Sequence, residues 1–126
     1  TWTPVRDSGI EHPASRFFLD RLRSGALLLV RHASATDRTG LVAFVSTDDG
    51  SSWDGGLVLD DREGVSYPDA VQDSDGRIRI VYDRDRYGAG EILTATFRES
   101  DAAAGEAVTD GVRRRVPVDS LGEGVQ

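Results

Sequence analysis

Short apolar or alternating runs recur along the chain, each closed off by a cluster of Gly, Asp and Ser, and this punctuation leaves room for little except strands joined by tight turns. Phe17-Phe18-Leu19-Asp20-Arg21-Leu22 precedes the turn Arg23-Ser24-Gly25, and Ala26-Leu27-Leu28-Leu29-Val30 follows it, so the pair predicts a hairpin. Gly40 to Ser46 predicts a third strand and Gly56-Leu57-Val58-Leu59 a short fourth. The pattern then restarts. Tyr67 to Val71, the turn Asp73-Ser74-Asp75-Gly76, Arg77 to Tyr82, Glu91 to Phe97 and Val112 to Val118 predict four more strands. Ile78 and Ile80 fall on one face of theirs, as a period of two requires. Ser100 to Ala107, rich in Ala and acidic residues, predicts a single helical turn within the second unit, and the residues after Asp119 a frayed polar tail. The expectation is an all-β fold of two four-stranded antiparallel units.

Composition narrows the functional classes. The chain has 126 residues, 38% of them hydrophobic, enough for a core, and a formal charge of -7. A field of that sign repels polyanions and gives no general attraction to nucleic acid or to an anionic membrane. The basic run Arg113-Arg114-Arg115 is too short to reverse this and reads as a solvated strand face. No Cys is present, which removes disulfides and thiolate metal sites and leaves the compartment open. No apolar run reaches the roughly 20 residues of a membrane span. Asp73-Ser74-Asp75-Gly76 has the opening of a calcium loop without its remaining ligands, and His12 and His32 lack any metal-ligand spacing, so neither a metal nor a cofactor is expected. The histidines read as ordinary surface or satisfied core residues.

The octapeptide Ser46-Thr47-Asp48-Asp49-Gly50-Ser51-Ser52-Trp53 lies between the third and fourth predicted strands. Its Asp48 carboxylate can accept backbone N–H bonds of its own turn, Gly50 permits a positive φ, and Trp53 can fold back over the loop. These are the parts of a hairpin lock, and none of them requires a ligand. Thr1-Trp2 has the form of the last two residues of a second such octapeptide, about 50 positions before Trp53, which is the length of one repeat.

The octapeptide is an Asp box, and with it the chain resembles the sialidase (neuraminidase) family of Asp-box, or BNR-repeat, β-propellers. The resemblance runs from Ser15-Arg16-Phe17-Phe18 to Phe97. It is carried by Asp37-Arg38, by the Asp box, by Ser66-Tyr67-Pro68-Asp69, and by Ile80-Val81-Tyr82-Asp83 before Glu91-Ile92-Leu93. It implies that the two units are blades of a propeller, about 14–60 and 65–118, within a partial domain over 1–126 that ends in the tail 119–126. The family's propeller has six blades. Two blades cannot close a ring, so further blades of a longer protein, or self-association, are expected to cover the exposed edges.

The resemblance also implies chemistry: retaining hydrolysis of a terminal sialic acid or related acidic sugar. Tyr67 matches the nucleophilic tyrosine, Arg38 the third arginine of a carboxylate-binding triad, and Asp83 an acidic residue that orients another triad arginine. Arg16 is a weaker substrate-contact candidate, as are Asp69 and Arg31. A phenol suits this substrate because the carboxylate on the anomeric carbon repels a carboxylate nucleophile and spares a neutral one. With a pKa near 10 the phenol needs a base, which in the family is a Glu from an earlier blade, and no residue of this chain is assigned that role. The general acid and the remaining arginines are likewise expected from other blades, so the 126 residues alone are expected to be inactive. Pro68 stands where many sialidases carry Ser, which leaves a propeller glycosidase for another sugar open. A carbohydrate-binding or scaffold propeller without catalysis is the alternative from a different class. Residue by residue, Tyr67 can instead be a packed aromatic, Arg38 a solvated loop arginine, and Asp83 a hairpin-end carboxylate paired with Arg84 or Arg86.

Overall fold

A computed structural model describes residues 17–33, 39–85 and 90–120. These residues form eight strands and one short helix: β1 (Phe18–Arg21), β2 (Leu27–His32), β3 (Thr39–Ser46), β4 (Asp54–Glu63), β5 (Val65–Gln72), β6 (Ile78–Arg84), β7 (Glu91–Phe97), α1 (Glu99–Ala104) and β8 (Arg113–Ser120). The strands make two four-stranded antiparallel sheets, in the order β1-β2-β3-β4 and β5-β6-β7-β8. Within each sheet every strand thus pairs with its neighbours in sequence, the simplest outcome of chained hairpins. Arg16, Arg38, His12 and the half-box at Thr1-Trp2 lie outside the described residues.

The alternation read from the sequence sets which face of each sheet is buried. Leu28 and Val30 of β2, Leu41, Ala43 and Val45 of β3, and Leu57 and Leu59 of β4 turn one way. They meet Ile78, Ile80 and Tyr82 of β6 and Leu93, Ala95 and Phe97 of β7 in one core shared by the two sheets. Polar groups fasten the same interface. The Arg23 backbone N–H donates to Gln72 Oε1 at 2.9 Å, and its guanidinium to the Gln72 and Ser74 carbonyls at 3.0 Å and to that of Asp73. At the other end of the strands, His32 Nε2 lies 2.6 Å from the Val65 carbonyl oxygen. His32 is fully buried and bound there, a satisfied core histidine.

These cross-sheet bonds define two ends of the molecule. One carries the β1–β2 turn, the Asp box between β3 and β4, the Asp73–Arg77 turn and the β7–β8 connection with α1. The other carries the β4–β5 turn at Gly64 and the ends of β2 and β6. The Asp73-Ser74-Asp75-Gly76 segment is a hairpin turn, closed by Asp73 N–H to Arg77 O at 2.7 Å and Gly76 N–H to Asp73 O at 3.0 Å.

The fourth strand differs from the sequence expectation. It is ten residues long, because Asp60-Asp61-Arg62-Glu63, polar enough to read as a loop, continues the ladder and pairs with Leu41 and Thr39. The β7–β8 connection carries no Asp box, and Asp101 of α1 locks it instead. The buried Asp101 carboxylate accepts from the N–H groups of Arg98, Val108 and Thr109 at 2.8 Å each and from the Thr109 hydroxyl at 2.6 Å. α1 rests on the start of β4 at Gly55, whose φ is +90°.

Candidate functional site

The Asp box folds as the residue types dictate. Ser46 Oγ donates to Asp48 Oδ1 at 2.7 Å and accepts from Gly50 N–H at 2.8 Å. Ser52 donates its N–H to Asp48 Oδ1 at 2.8 Å and its hydroxyl to Oδ2 at 2.6 Å. The Ser52 hydroxyl above all, then that of Ser46 and the Ser52 N–H, hold the Asp48 carboxyl down to about 2 from the ordinary 3.8. Gly50 has φ +91°, and a Cβ there would stand 3.8 Å from the Trp53 ring, which lies over the turn. The Ser46, Asp48 and Ser52 side chains are engaged within the loop, and Asp49 accepts from Arg21 of β1 at 2.9 Å, so the box is a structural lock.

Tyr67 sits toward the other end of the strands, five residues from the end of β5, or about 17 Å at about 3.3 Å per residue. Between Ser66 and Asp69 the β5–β6 register shifts, and in this bulge Tyr67 adopts φ +53°. That region costs a bulky L residue of order 1 kcal/mol or more, and such residues cluster at working sites. The bulge holds Tyr67 37% exposed, with the rest of its side-chain surface covered. The buried aromatics of this sheet are Tyr82 and Phe97.

Asp83 closes the same bulge. It is the ladder partner of Ser66, and the buried Ser66 hydroxyl donates to Asp83 Oδ1 at 2.6 Å. Arg84 pairs with Glu91 at 2.6 Å, and Arg86 lies outside the described residues. Tyr67, Asp69, Val81, Tyr82, Asp83 and Ile92 line a groove of about 520 Å³ on the outer face of the second sheet. Arg79 also lines it, with its Nε donating to Asp73 Oδ2 at 2.7 Å. The structure therefore brings Tyr67, Asp69 and Asp83 together. It sets Arg31 apart on the first sheet, with its guanidinium 4.8 Å above the Phe44 ring and its NH1 donating to the His32 carbonyl at 3.0 Å.

Beneath the groove lies a cluster that the sequence reading did not pick out. Asp60 is buried, and its carboxylate accepts from Arg62 Nε at 2.9 Å, from Arg62 NH2 at 2.7 Å, from the Arg62 N–H at 3.0 Å and from the Tyr82 hydroxyl at 2.8 Å. Burial works to raise the Asp60 carboxyl, and the bonds from Arg62 and Tyr82 outweigh it, leaving it below its ordinary value. Burial and the adjacent carboxylate push the Tyr82 phenol well up, so it stays a protonated donor. One signal for the pair was present in the sequence: Tyr82 is in phase with Ile78 and Ile80, and a phenol on a buried face needs a polar partner. Among the described residues no three His, Asp or Glu side chains are grouped to hold a metal ion.

The model of the BNR repeat-like domain matches residues 1–80, more than half of the chain. The chain belongs to the BNR repeat-like domain family. No curated protein and no solved structure matches it. The stretch that matches the BNR repeat-like domain takes in the Asp box, Asp60, Tyr67 and Asp69 and stops two residues short of Tyr82. It thus spans the first sheet, β5 and the start of β6, including the bulge that sets Tyr67.

Proposed function

We propose that the chain is part of a sialidase-like β-propeller, an exo-glycoside hydrolase whose two sheets here are consecutive blades and whose Tyr67 is the nucleophile. The observation that carries this is the placement of Tyr67: an exposed phenol held at φ +53° in a bulge, beside Asp83, near the end of the strands opposite the Asp box. Membership of the BNR repeat-like family supports the propeller, and so does the outer face of the second sheet. There Val71, Val81, Ile92, Val116 and Val118 are all exposed. An antiparallel sheet with one face in water tends to keep that face polar, whereas this one sets five apolar side chains among the polar ones of its outer face, which suits packing against another blade.

In this reading the Tyr67 oxygen bonds to the anomeric carbon of a terminal sialic acid or related acidic sugar as the bond to the leaving-group oxygen breaks. That oxygen takes a proton from an acid on another blade. Water then displaces Tyr67, restoring the phenol and retaining the anomeric configuration. Arg38 binds the substrate carboxylate through its planar fork, with Arg16 as a weaker substrate contact, and Asp83 orients another arginine of the triad. The remaining arginines and the base for Tyr67 come from other blades, so the 126 residues alone do not turn over.

The test is covalent trapping. Full-length protein incubated with a 2,3-difluorinated sialic acid donor carries a glycosyl adduct on the peptide containing Tyr67, read by mass spectrometry. Turnover of a sialoside with the adduct elsewhere refutes Tyr67 as nucleophile. The absence of both turnover and adduct favours the second reading, a carbohydrate-binding or scaffold propeller. The apolar residues around the groove favour that reading, since a blade packed over Val81 and Ile92 covers part of it.

A further inference from the structure

The carboxylate of Asp60, on β4 of the first sheet, is withdrawn from water, while the two side chains that bind it belong to different sheets. Arg62 is two residues away on its own strand, and Tyr82 reaches it from β6 of the second sheet at 2.8 Å. Buried ionic groups are poor stabilisers: apolar residues of similar volume often do as well or better, whereas removing one partner strands the other. What such a group specifies well is geometry. Because the Asp60 carboxylate fixes the Tyr82 hydroxyl, it fixes the end of β6. Tyr82 is followed directly by Asp83, which the Ser66 hydroxyl grips at 2.6 Å, and Ser66 is followed directly by Tyr67 in its bulge. A continuous line of hydrogen bonds and backbone thus runs from Arg62 through Asp60, Tyr82, Asp83 and Ser66 to Tyr67.

We propose that Asp60 is a positioning residue for the Tyr67–Asp83 groove and acts through Tyr82. The phenol of Tyr82 is the only atom group of the second sheet that donates to Asp60 among the described residues, so the coupling passes through one bond. Asp60 touches neither the groove nor any ligand in it. Its effect on Tyr67 depends on the reading of the groove as a glycosidase site only where turnover is the readout.

The test uses full-length protein and three kinds of variant, followed by turnover of a fluorogenic sialoside, thermal unfolding, and amide hydrogen exchange. Asp60→Asn and Tyr82→Phe are expected to lower turnover about tenfold or more, the scale on which small misplacements act. They are also expected to accelerate exchange over residues 65–69. The combined Asp60→Leu, Arg62→Leu and Tyr82→Phe variant, an apolar replacement of the whole cluster, is expected to recover thermal stability without recovering turnover. Ser24→Ala removes a cross-sheet bond to Glu99 at the opposite end and is expected to leave residues 65–69 unchanged. Recovery of turnover together with stability in the combined variant overturns the proposal, as does acceleration at 65–69 in Ser24→Ala. If the wild-type protein does not turn over the sialoside, the glycosidase reading fails by itself. Exchange then decides the matter for Asp60: acceleration at 65–69 sustains its positioning role, and unchanged exchange overturns it.

Discussion

At the scale of single residues, three carboxylates do the structural work that hydrophobic patterning leaves undone. Asp48, Asp60 and Asp101 each collect hydrogen bonds that favour the ionised form, and each has its carboxyl below the ordinary value in the folded chain. For Asp101, as for Asp60, burial acts in the other direction and is overcome, here by the Thr109 hydroxyl and three backbone N–H groups. Where the folded pKa is depressed, the unfolded chain binds more protons, so the contribution is complete above 3.8 and is lost as pH falls toward the folded value, about 2 for Asp48. The melting temperature is therefore expected to drop steeply in that window, and Asp48→Asn to lower it at neutral pH while flattening the drop. A calorimetric series in pH checks this. Tyr82→Phe deletes one hydrogen bond to a buried charge and is expected to destabilise the fold by about 2 kcal/mol in chemical denaturation.

At the scale of elements, the strands were legible because burial follows a period of two, as Ile78, Ile80 and Tyr82 illustrate. The end of β4 was not. Asp60 and Arg62 are strand residues that pair with each other, and the buried Asp60 is met across the sheets by Tyr82, a partner no local window contains. Tyr67 was legible as a residue but not as a conformation, since its positive φ follows from a register shift against β6. The helix in the β7–β8 connection also depends on a distant position. A side chain at Gly55, already at φ +90°, would run into the Ala102 carbonyl oxygen of α1. Gly55→Ala is expected to destabilise by about 2 to 4 kcal/mol, displacing α1 and exposing Asp101, which faster amide exchange over residues 99–109 would report.

At the scale of the whole molecule, two sheets share one core and divide their labour between two ends. The Asp box, the Asp73–Arg77 turn and the α1 connection hold one end, and Tyr67 and Asp83 stand toward the other. If a further blade covers the outer face of the second sheet, Val81→Arg, at a position 46% exposed in this chain, lowers the melting temperature of the full-length protein and leaves that of the isolated 126 residues unchanged. The central claim is that structure is held at the Asp-box end and chemistry at the Tyr67 groove. Comparing Asp48→Asn with Tyr67→Phe in the full-length protein, by specific activity on a fluorogenic sialoside and by melting temperature, tests it most directly. Asp48→Asn should lower the melting temperature and leave specific activity intact, and Tyr67→Phe should cut turnover by about 10³-fold or more at unchanged melting temperature. Full activity in Tyr67→Phe, or loss of activity in a still-folded Asp48→Asn protein, would contradict it.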